Sequence, residues 1–383
     1  MNQRNIAGRS IIALLSVVIG ATACSSNPSS TTTEVTLGVS VSEPDEVIDA
    51  DESGSSNSST EGNADGQTSA GNEADDSETD REPRNGSELD SDSAANPAID
   101  EDSLLTASAT GPVFDGRPLP ASAIELGKAL SEVEMALRSE GLALAGDDGT
   151  ASVLGPRQQQ LYRLLALNPA WEDEAVAQVD PTVADAVSLN WEARQALSTL
   201  VGTHKLSDTL PAWKIVDPAP ATELIDLYQQ ASDQTGVPWE VLAAINLVET
   251  RMGRIRGLST AGAVGPMQFL PSTWEECCEG DPSTNSDAIR GAAIYLVNRG
   301  AESNLDRAIL GYNNSEHYVT AIKAYAAVLE ADESAYHGYH AWDVLFLTSA
   351  GLLQLPDGYL QNEPVDAADW LDENPDRLFP GSS

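Results

Sequence analysis

The sequence has little positive charge and little cysteine. It contains 20 Lys and Arg against 60 Asp and Glu, which gives a formal net charge of −40. Nucleic-acid binding needs clustered Lys and Arg to neutralise phosphates, so this composition excludes nucleic acid as a partner. The 3 cysteines are too few for the disulfide framework that stabilises many small secreted domains.

Aromatic residues are absent before Phe114. Residues 25–110 also carry 21 acidic side chains and only 2 basic ones, set among Ser, Thr, Asn and Gly. Such a stretch cannot bury enough apolar surface to offset the entropy of the chain. We therefore predict a disordered acidic linker over residues 25–112. It either spaces a folded part from an anchor or serves only as a solubilising tail.

The N-terminus has the features of a bacterial secretion signal. Arg4 and Arg9 precede an apolar run over residues 11–23 that is too short to span a membrane comfortably and ends in small residues. Cys24 then resembles the lipoprotein cysteine whose sulfur receives a diacylglycerol. The alternative is ordinary cleavage that leaves Cys24 as a free thiol. We expect residues 1–24 to be a lipoprotein signal peptide, with the mature protein anchored by its lipid in the cell envelope, on the outer side of the cytoplasmic membrane.

Beyond Phe114 the apolar residues recur with helical spacing, and strand-like alternation is nearly absent. These features predict an all-α fold. The segment from Trp342 to Leu347 is ambiguous, because its pattern is compatible with a helix or a short strand. Asn168-Pro169 should end the second helix, and Asp180-Pro181 should open the third. The predicted helical stripes are Leu126, Leu130, Val133 and Leu137; Leu161, Leu164 and Leu165; Val183, Val187, Leu197 and Val201; and residues 223–234.

Glu249 lies where a further helix should end. Pro238 favours the start of this helix, apolar residues up to Val248 form one face, and Gly253 can terminate it. Burial beside an apolar face and the negative end of the helix dipole both disfavour a carboxylate. The expected rise in pKa suits a general acid near neutral pH, whereas a lone Glu at a helix end is otherwise usually a solvated surface residue. Three arginines would oppose the rise if they pointed inward: Arg251, Arg254 and Arg256.

Two further motifs follow Glu249. Residues 259–274 form a loop of small residues that runs into Met-Gln and a Pro, and its glycines allow close backbone approach to a ligand. Tyr312-Asn313 then precedes a helix whose apolar face holds Tyr318. The order Glu, Gly-Ala-x-Gly-x-Met-Gln-x-x-Pro, Tyr-Asn resembles the lytic murein transglycosylases, most closely their membrane-bound type B branch. The resemblance is strongest over residues 237–328 and extends more loosely over residues 155–358.

This resemblance implies a fold and an activity. The fold is a lysozyme-like helical core over residues 221–330, with an N-terminal helical part over 113–220 and a C-terminal extension over 331–383. The activity is that of a lyase that cleaves the β-1,4 bond between N-acetylmuramic acid and N-acetylglucosamine in peptidoglycan and leaves a 1,6-anhydromuramoyl end. The expected partners are peptidoglycan glycan strands, the membrane through the N-terminal lipid, and other cell-wall enzymes.

The resemblance also implies roles for single residues. Glu249 matches the single catalytic acid and base, Gln268 matches a residue that contacts the glycan, and Met267 would line the groove. Core packing is the alternative for Met267. The other substrate-binding positions are Tyr312 and Asn313, the pair near the catalytic carboxyl, and Ser259, the small polar residue of the loop. For Tyr312 the alternative is a half-buried aromatic with a satisfied hydroxyl, and for Asn313 it is a turn or a helix cap.

One acid is sufficient for this chemistry. Hydrolysis of a glycoside needs a second carboxylate, and no second acid belongs to the three motifs. In a transglycosylase the Glu protonates the leaving oxygen and then deprotonates the muramoyl C6 hydroxyl, which closes on C1. No cofactor is expected. The alternatives are a hydrolytic muramidase that uses a downstream acid, and a non-catalytic peptidoglycan-binding lipoprotein.

Other features near the motifs have structural interpretations. Ser272 and Glu275 fit a capping box, and Cys277-Cys278 forms either a vicinal disulfide or a reduced pair. The acidic loop over residues 279–287 does not have the spacing of a calcium loop, and the four histidines lack ligand spacing. We therefore expect no metal site.

Overall fold

The computed structural model describes residues 117–138, 149–202, 206–380 and 382. The predicted signal peptide, Cys24 and the predicted linker lie outside these residues. The described part is mostly helical with a few short strands, which agrees with the predicted all-α class. Among its helices, none combines the length and the apolar character that a membrane-spanning segment requires.

The first four helices pack around one apolar cluster. Every residue of the first predicted stripe is buried, and the second helix ends just before Asn168-Pro169, as predicted. The fourth helix begins later than predicted, because the Asp180 carboxylate accepts a hydrogen bond from the Thr182 N–H and holds a turn ahead of it. These helices are α1 (Ala123–Leu137), α2 (Thr150–Leu167), α3 (Glu172–Val176) and α4 (Ala184–Gly202).

The main core surrounds the helix α6, in which every residue from Val241 to Thr250 is buried. A later helix, α10, packs against both α4 and α6, and α5 packs against α6 and α8. This arrangement brings the end of α6 next to the start of α10. The helices of this region are α5 (Ala221–Thr235), α6 (Trp239–Thr250), α7 (Pro271–Cys277), α8 (Asn285–Asn298), α9 (Leu305–Tyr312) and α10 (Glu316–Ala331).

A third apolar cluster joins the C-terminal segment to the chain near Trp213 and Ile255. Its centre is an antiparallel hairpin of β4 and β5 in which Phe346 pairs with Leu353. The ambiguous segment from Trp342 to Leu347 therefore forms a strand. β1 pairs with β6, and β2 pairs with β3. The elements are β1 (Thr209–Leu210), β2 (Lys214–Ile215), β3 (Ile255–Arg256), α11 (Ala335–His340), β4 (Val344–Thr348), β5 (Gly351–Leu355), β6 (Val365–Asp366) and α12 (Ala367–Glu373).

Two local expectations around α7 have clear outcomes. The prediction that Ser272 and Glu275 form a capping box is wrong, because Pro271 is already the first helical residue and Leu270 occupies the N-cap. Proline favours that first position, so Ser272 lies inside the helix. Cys277 and Cys278 are joined by a disulfide.

Candidate active site

Glu249 lies in the last turn of α6 and is 6% exposed. Its Oε1 accepts a hydrogen bond of 2.7 Å from the hydroxyl of Tyr318, which belongs to α10. Burial raises the pKa of Glu249 to about 8, and the hydrogen bond from Tyr318 lowers it by a smaller amount. The carboxyl therefore keeps its proton near neutral pH, as the sequence predicted for a general acid.

The three neighbouring arginines do not oppose this rise, since burial causes it and, among the described residues, the only group that lowers the pKa of Glu249 is Tyr318. Each guanidinium has contacts elsewhere. These are Arg251 with the Leu247 carbonyl and, at 5.9 Å, the Trp342 ring; Arg254 with Asp357; and Arg256 with the Ser283 carbonyl.

The chain makes a strained turn directly after α6. Arg251, Met252 and Gly253 have φ of 55°, 59° and 81°, so three consecutive residues are left-handed. Non-glycine residues rarely adopt this conformation, and such strain concentrates at functional sites. The Thr250 hydroxyl oxygen fixes the turn by accepting the Gly253 N–H at 3.1 Å.

The loop over residues 259–270 is attached to α6 through one carbonyl. The Pro266 oxygen accepts hydrogen bonds from Asn246 Nδ2 at 2.8 Å and from the Thr250 hydroxyl at 2.6 Å. Asn246 is itself held by the Tyr228 hydroxyl, which donates to Oδ1 at 2.6 Å. Because all of these groups are buried, the loop and the end of α6 form one rigid unit.

Internal bonds give the loop its shape. Ser259 Oγ accepts the N–H groups of Ala261 and Ala263, and this explains the small polar residue at that position. Gly265 has φ of 75°, and a Cβ there would lie 1.8 Å from the Pro282 oxygen. Only glycine fits this position.

Gln268 is held by the same loop. It is left-handed with φ of 51°, and its Nε2 donates to the Gly265 oxygen at 2.9 Å. Within the described residues, the non-glycine residues with positive φ all belong to this loop or to the turn after α6. The strain is therefore confined to the two segments that adjoin Glu249.

Tyr312 and Tyr318 form the aromatic side of the site. Their rings are nearly parallel, with centroids 6.5 Å apart, and the Glu249 charge contributes to the raised pKa of both, second to burial. The Tyr312 hydroxyl donates to the Met267 carbonyl at 2.7 Å. Tyr312 is thus fully buried, with its hydroxyl satisfied, and it supports the loop from behind.

The position of Met267 corrects one expectation. Its side chain has no exposed surface and belongs to the main core, so it does not line a groove. Core packing, the alternative interpretation, describes it. Asn313 is half-buried at the C-cap of α9, directly after Tyr312.

The residue that sequence reasoning left out of the site is Tyr318. Helical spacing predicts it on the apolar face of the last core helix, where its ring does lie. Its hydroxyl indicates that it has a partner, because a buried tyrosine usually forms a hydrogen bond. Helical periodicity does not identify that partner, so the contact with Glu249 emerges only from the fold.

In the acidic segment over residues 279–287, the Asp287 carboxylate is bonded by neighbouring protein groups. The Asp287 carboxylate accepts the Asp281 N–H and pairs with Arg290 at 2.7 Å. In the described part of the chain, no group of three or more His, Cys, Asp or Glu side chains is arranged to hold a metal ion.

The fold and the site thus define a mostly helical protein with a buried acid at a helix end, next to a strained glycine-rich loop and two stacked tyrosines. Comparison of the chain with protein-family models, with curated proteins and with solved structures finds no match. The functional argument therefore rests on the geometry of this site.

Replacing Tyr318 with Phe should change the pH dependence of the acid. The Tyr318 hydroxyl stabilises the Glu249 carboxylate, so its removal raises the pKa of Glu249 further above about 8. We expect the midpoint of the Glu249 titration, followed by NMR of carbon-13-labelled glutamate, to move upward by about one pH unit. Tyr312→Phe is the matched control, because its hydroxyl bonds the Met267 carbonyl instead. Identical Glu249 titration midpoints in both variants and in the wild type would contradict the role of Tyr318.

Proposed function

We propose that this protein is a lytic transglycosylase that cleaves the β-1,4 bond between N-acetylmuramic acid and N-acetylglucosamine in peptidoglycan. The observation that carries the proposal is the buried carboxyl of Glu249 at the end of α6, where burial raises its pKa to about 8. The end of this helix is bonded to the 259–270 loop, which resembles the substrate loop of that family. The proposal includes a lysozyme-like core built from α5 to α10. Besides the catalytic Glu249, the proposed substrate-binding residues are Gln268 and Asn313.

In the first step Glu249 donates its proton to the glycosidic oxygen while the bond to C1 of the muramoyl sugar breaks. A pKa of about 8 keeps this proton in place at neutral pH, and it also makes the resulting carboxylate a competent base. In the second step the carboxylate takes the proton of the C6 hydroxyl, and O6 bonds to C1. Glu249 ends protonated, so atoms and protons balance without water.

Tyr318 acts between the two steps. When Glu249 has lost its proton, the Tyr318 hydroxyl donates to a full carboxylate, and a hydrogen bond to a charged group is stronger than one to a neutral group. This compensates part of the cost of a charge in a buried position. Tyr318 is therefore a positioning and stabilising residue, while Glu249 performs the proton transfers.

A single carboxylate supports transglycosylation over hydrolysis. Among the described residues, burial and Tyr318 are the causes of the shift in the Glu249 pKa, and no acidic side chain contributes to it. A hydrolytic site needs a second carboxylate to direct water. An intramolecular hydroxyl replaces that water and gains the advantage of proximity.

The test is the mass of the products from purified peptidoglycan. We expect muropeptides lighter by one water than hydrolysed products, because the 1,6-anhydro ring closes internally. Products that carry the added water would instead assign a muramidase. Binding of glycan strands without any cleavage would assign a non-catalytic wall-binding protein.

We further propose that the protein is a lipoprotein of the cell envelope. The support is the cationic start, the short apolar run and Cys24, followed by an acidic segment over residues 25–112 whose reach suits an insoluble substrate. Peptidoglycan glycan strands and other cell-wall enzymes are its proposed partners.

Replacing Cys24 with Ala should release the protein from the membrane fraction, because stable anchoring depends on the acyl chains. The measurement is fractionation of cells that produce each form, with mass analysis of the mature N-terminus. Cys278→Ala is the control, since Cys278 is bonded to Cys277 in the folded part. Equal partitioning of the Cys24 variant and the wild type would overturn the anchor.

A further inference from the structure

Two cations lie side by side on a small sheet near the candidate active site. Lys214 of β2 is the direct antiparallel partner of Arg256 of β3. Like charges in directly opposite positions repel each other and destabilise a sheet. The pair is therefore held at a cost in stability, which a bound negative charge would reduce.

The two cations face away from the core. In each strand the neighbouring isoleucine, Ile215 or Ile255, is buried in the third apolar cluster, and successive side chains of a strand point to opposite sides. Lys214 also forms an antiparallel bridge with Leu360 on its other edge. Arg256, Lys214 and Leu360 therefore form one row across the outer side of the sheet, which we call the cationic face.

The cationic face has no acidic partner in the described part of the chain, although the sequence has 60 acidic residues against 20 basic ones. Among the described residues, the Arg256 guanidinium bonds only the Ser283 carbonyl, at 3.3 Å, and the Lys214 ammonium forms no hydrogen bond or ion pair. Burial alone lowers the pKa of Arg256, and no described carboxylate raises it. Asp217, three residues after Lys214, pairs with Arg254 instead.

The cationic face adjoins the candidate active site through Arg256. A Cβ on Gly253 would lie 3.6 Å from Arg256 Nη2, so the guanidinium borders the strained turn after α6. Its Nη1 bonds the carbonyl of Ser283, and the preceding residue, Pro282, places its oxygen against Gly265 of the loop. Arg256 thus lies between the turn after α6 and the segment that supports the loop.

Exposed apolar side chains border the cationic face. Within the described residues, Leu258 is the most exposed of the large apolar side chains, at 61%, and Leu360 is 41% exposed. Trp213 Nε1 donates to the Leu258 carbonyl at 3.0 Å, which fixes this residue between Arg256 and the loop. Two cations flanked by exposed leucines complement a ligand that carries both carboxylates and small apolar groups.

We propose that the cationic face binds the acidic peptide stem that the muramoyl sugar carries, with Arg256 and Lys214 each pairing with one stem carboxylate. This inference rests on the proposed cleavage of peptidoglycan, and it names the stem-bearing strand as the preferred substrate. The stem is a short peptide with free carboxylates and alanine methyl groups, so it fits both the cations and the exposed leucines. Arg256 and Lys214 determine specificity, while Glu249 transfers the protons.

The experiment compares two forms of soluble, uncrosslinked glycan strands at one ionic strength. One form carries intact stems, and in the other carbodiimide coupling to methylamine has converted the stem carboxylates to amides. For the full-length wild type we expect kcat/KM to be about tenfold lower on the amidated strands, mainly through KM, which is the scale of two partly exposed ion pairs.

Variants of the two cations test the assignment. Arg256→Gln and Lys214→Met should each reduce this preference to about threefold, and the double variant should cleave both forms at about the same rate. Lys128→Met is the matched control, because it removes a positive charge from an exposed position of α1 and should keep the preference of the wild type.

Equal rates of the wild type on both forms, or an unchanged preference in the double variant, would overturn the inference while the cleavage itself still supported the proposed function. An equal change of rate on both forms in the variants would assign the cations to another occupant, such as the acidic residues 25–110 of the chain, and would also overturn it. Absence of cleavage of either form would instead refute the proposed function. Should Arg256→Gln fail to fold, Lys214→Met and the wild-type comparison decide the question.

Discussion

Replacing Glu249 with Gln should lower the rate of peptidoglycan cleavage by about 10²- to 10⁴-fold. Gln keeps the volume of the side chain and can still accept the Tyr318 hydrogen bond, but it has no proton to transfer to the leaving oxygen. Release of soluble muropeptides from purified peptidoglycan measures the effect. Binding of the variant to insoluble peptidoglycan should remain, because the loop and the aromatic residues are intact.

Glu275→Gln is the matched control for this change. Glu275 is an exposed acid on α7, one of the downstream acids that a muramidase would need, and its replacement should leave the rate within about twofold of the wild type. Full activity in the Glu249 variant would show that Glu249 is not the catalytic acid. A large loss of activity in the Glu275 variant would instead indicate a muramidase mechanism that uses two carboxylates.

The same Glu249 variant should also be more stable than the wild type at neutral pH. In the wild type the folded pKa of about 8 lies above the ordinary value of 4.5. Below pH 4.5 both the folded and the unfolded chain keep the proton on Glu249. Between pH 4.5 and about pH 8 only the unfolded chain loses it, so the free energy of unfolding of the wild type falls as pH rises. Gln has no such titration. The stability difference should therefore grow from pH 4.5 to pH 8 and reach on the order of 3 kcal/mol at pH 7. Urea unfolding at several pH values tests this, and a pH-independent difference would contradict the raised pKa.

Replacing Gly265 with Ala should destabilise the protein by roughly 3–5 kcal/mol and abolish most of its activity. Two costs combine at this position. A side chain at φ of 75° is strained, and its Cβ would lie 1.8 Å from the backbone oxygen of Pro282, which cannot rotate away. The loop must move to relieve the clash, and the Pro266 carbonyl that ties it to α6 must move with it.

Gly262→Ala separates these two costs. Gly262 has φ of 79°, yet a Cβ there meets nothing within 4 Å. This variant should lose only about 1 kcal/mol, the cost of the left-handed conformation. Urea unfolding and activity assays of both variants provide the comparison. If the two lose equal stability, the close approach of Gly265 to Pro282 does not constrain the loop.

Features set by neighbouring residues were predictable from the sequence. The buried stripe of α1 and the end of α2 before Asn168-Pro169 follow from helical spacing and from the missing N–H of proline. The position of Glu249 at a helix end is also a local consequence, and it is confirmed. The rise in its pKa was predicted too, but it depends on burial by other elements of the fold.

Features imposed by tertiary contacts were not predictable. Arg251, Met252 and Gln268 are left-handed although none of these residue types favours that conformation. The Tyr228 hydroxyl of α5 contacts Met252, and Gln268 bonds the Gly265 carbonyl within its own loop. The burial of Met267 depends on how the loop folds back onto the core, which neither its spacing nor its polarity reveals.

The bond between Glu249 and Tyr318 links residues 69 positions apart, on helices that meet only when the core is complete. A chain cut short before α10 would keep the helix that carries Glu249 but would lose Tyr318 and much of the surface that buries the carboxyl. In that truncated chain Glu249 would be hydrated and would ionise near its ordinary pKa. Nascent, nicked and misfolded chains would consequently lack a proton to donate at neutral pH. A protonated acid at neutral pH is thus a property of the assembled core, which the helix that carries Glu249 does not have alone.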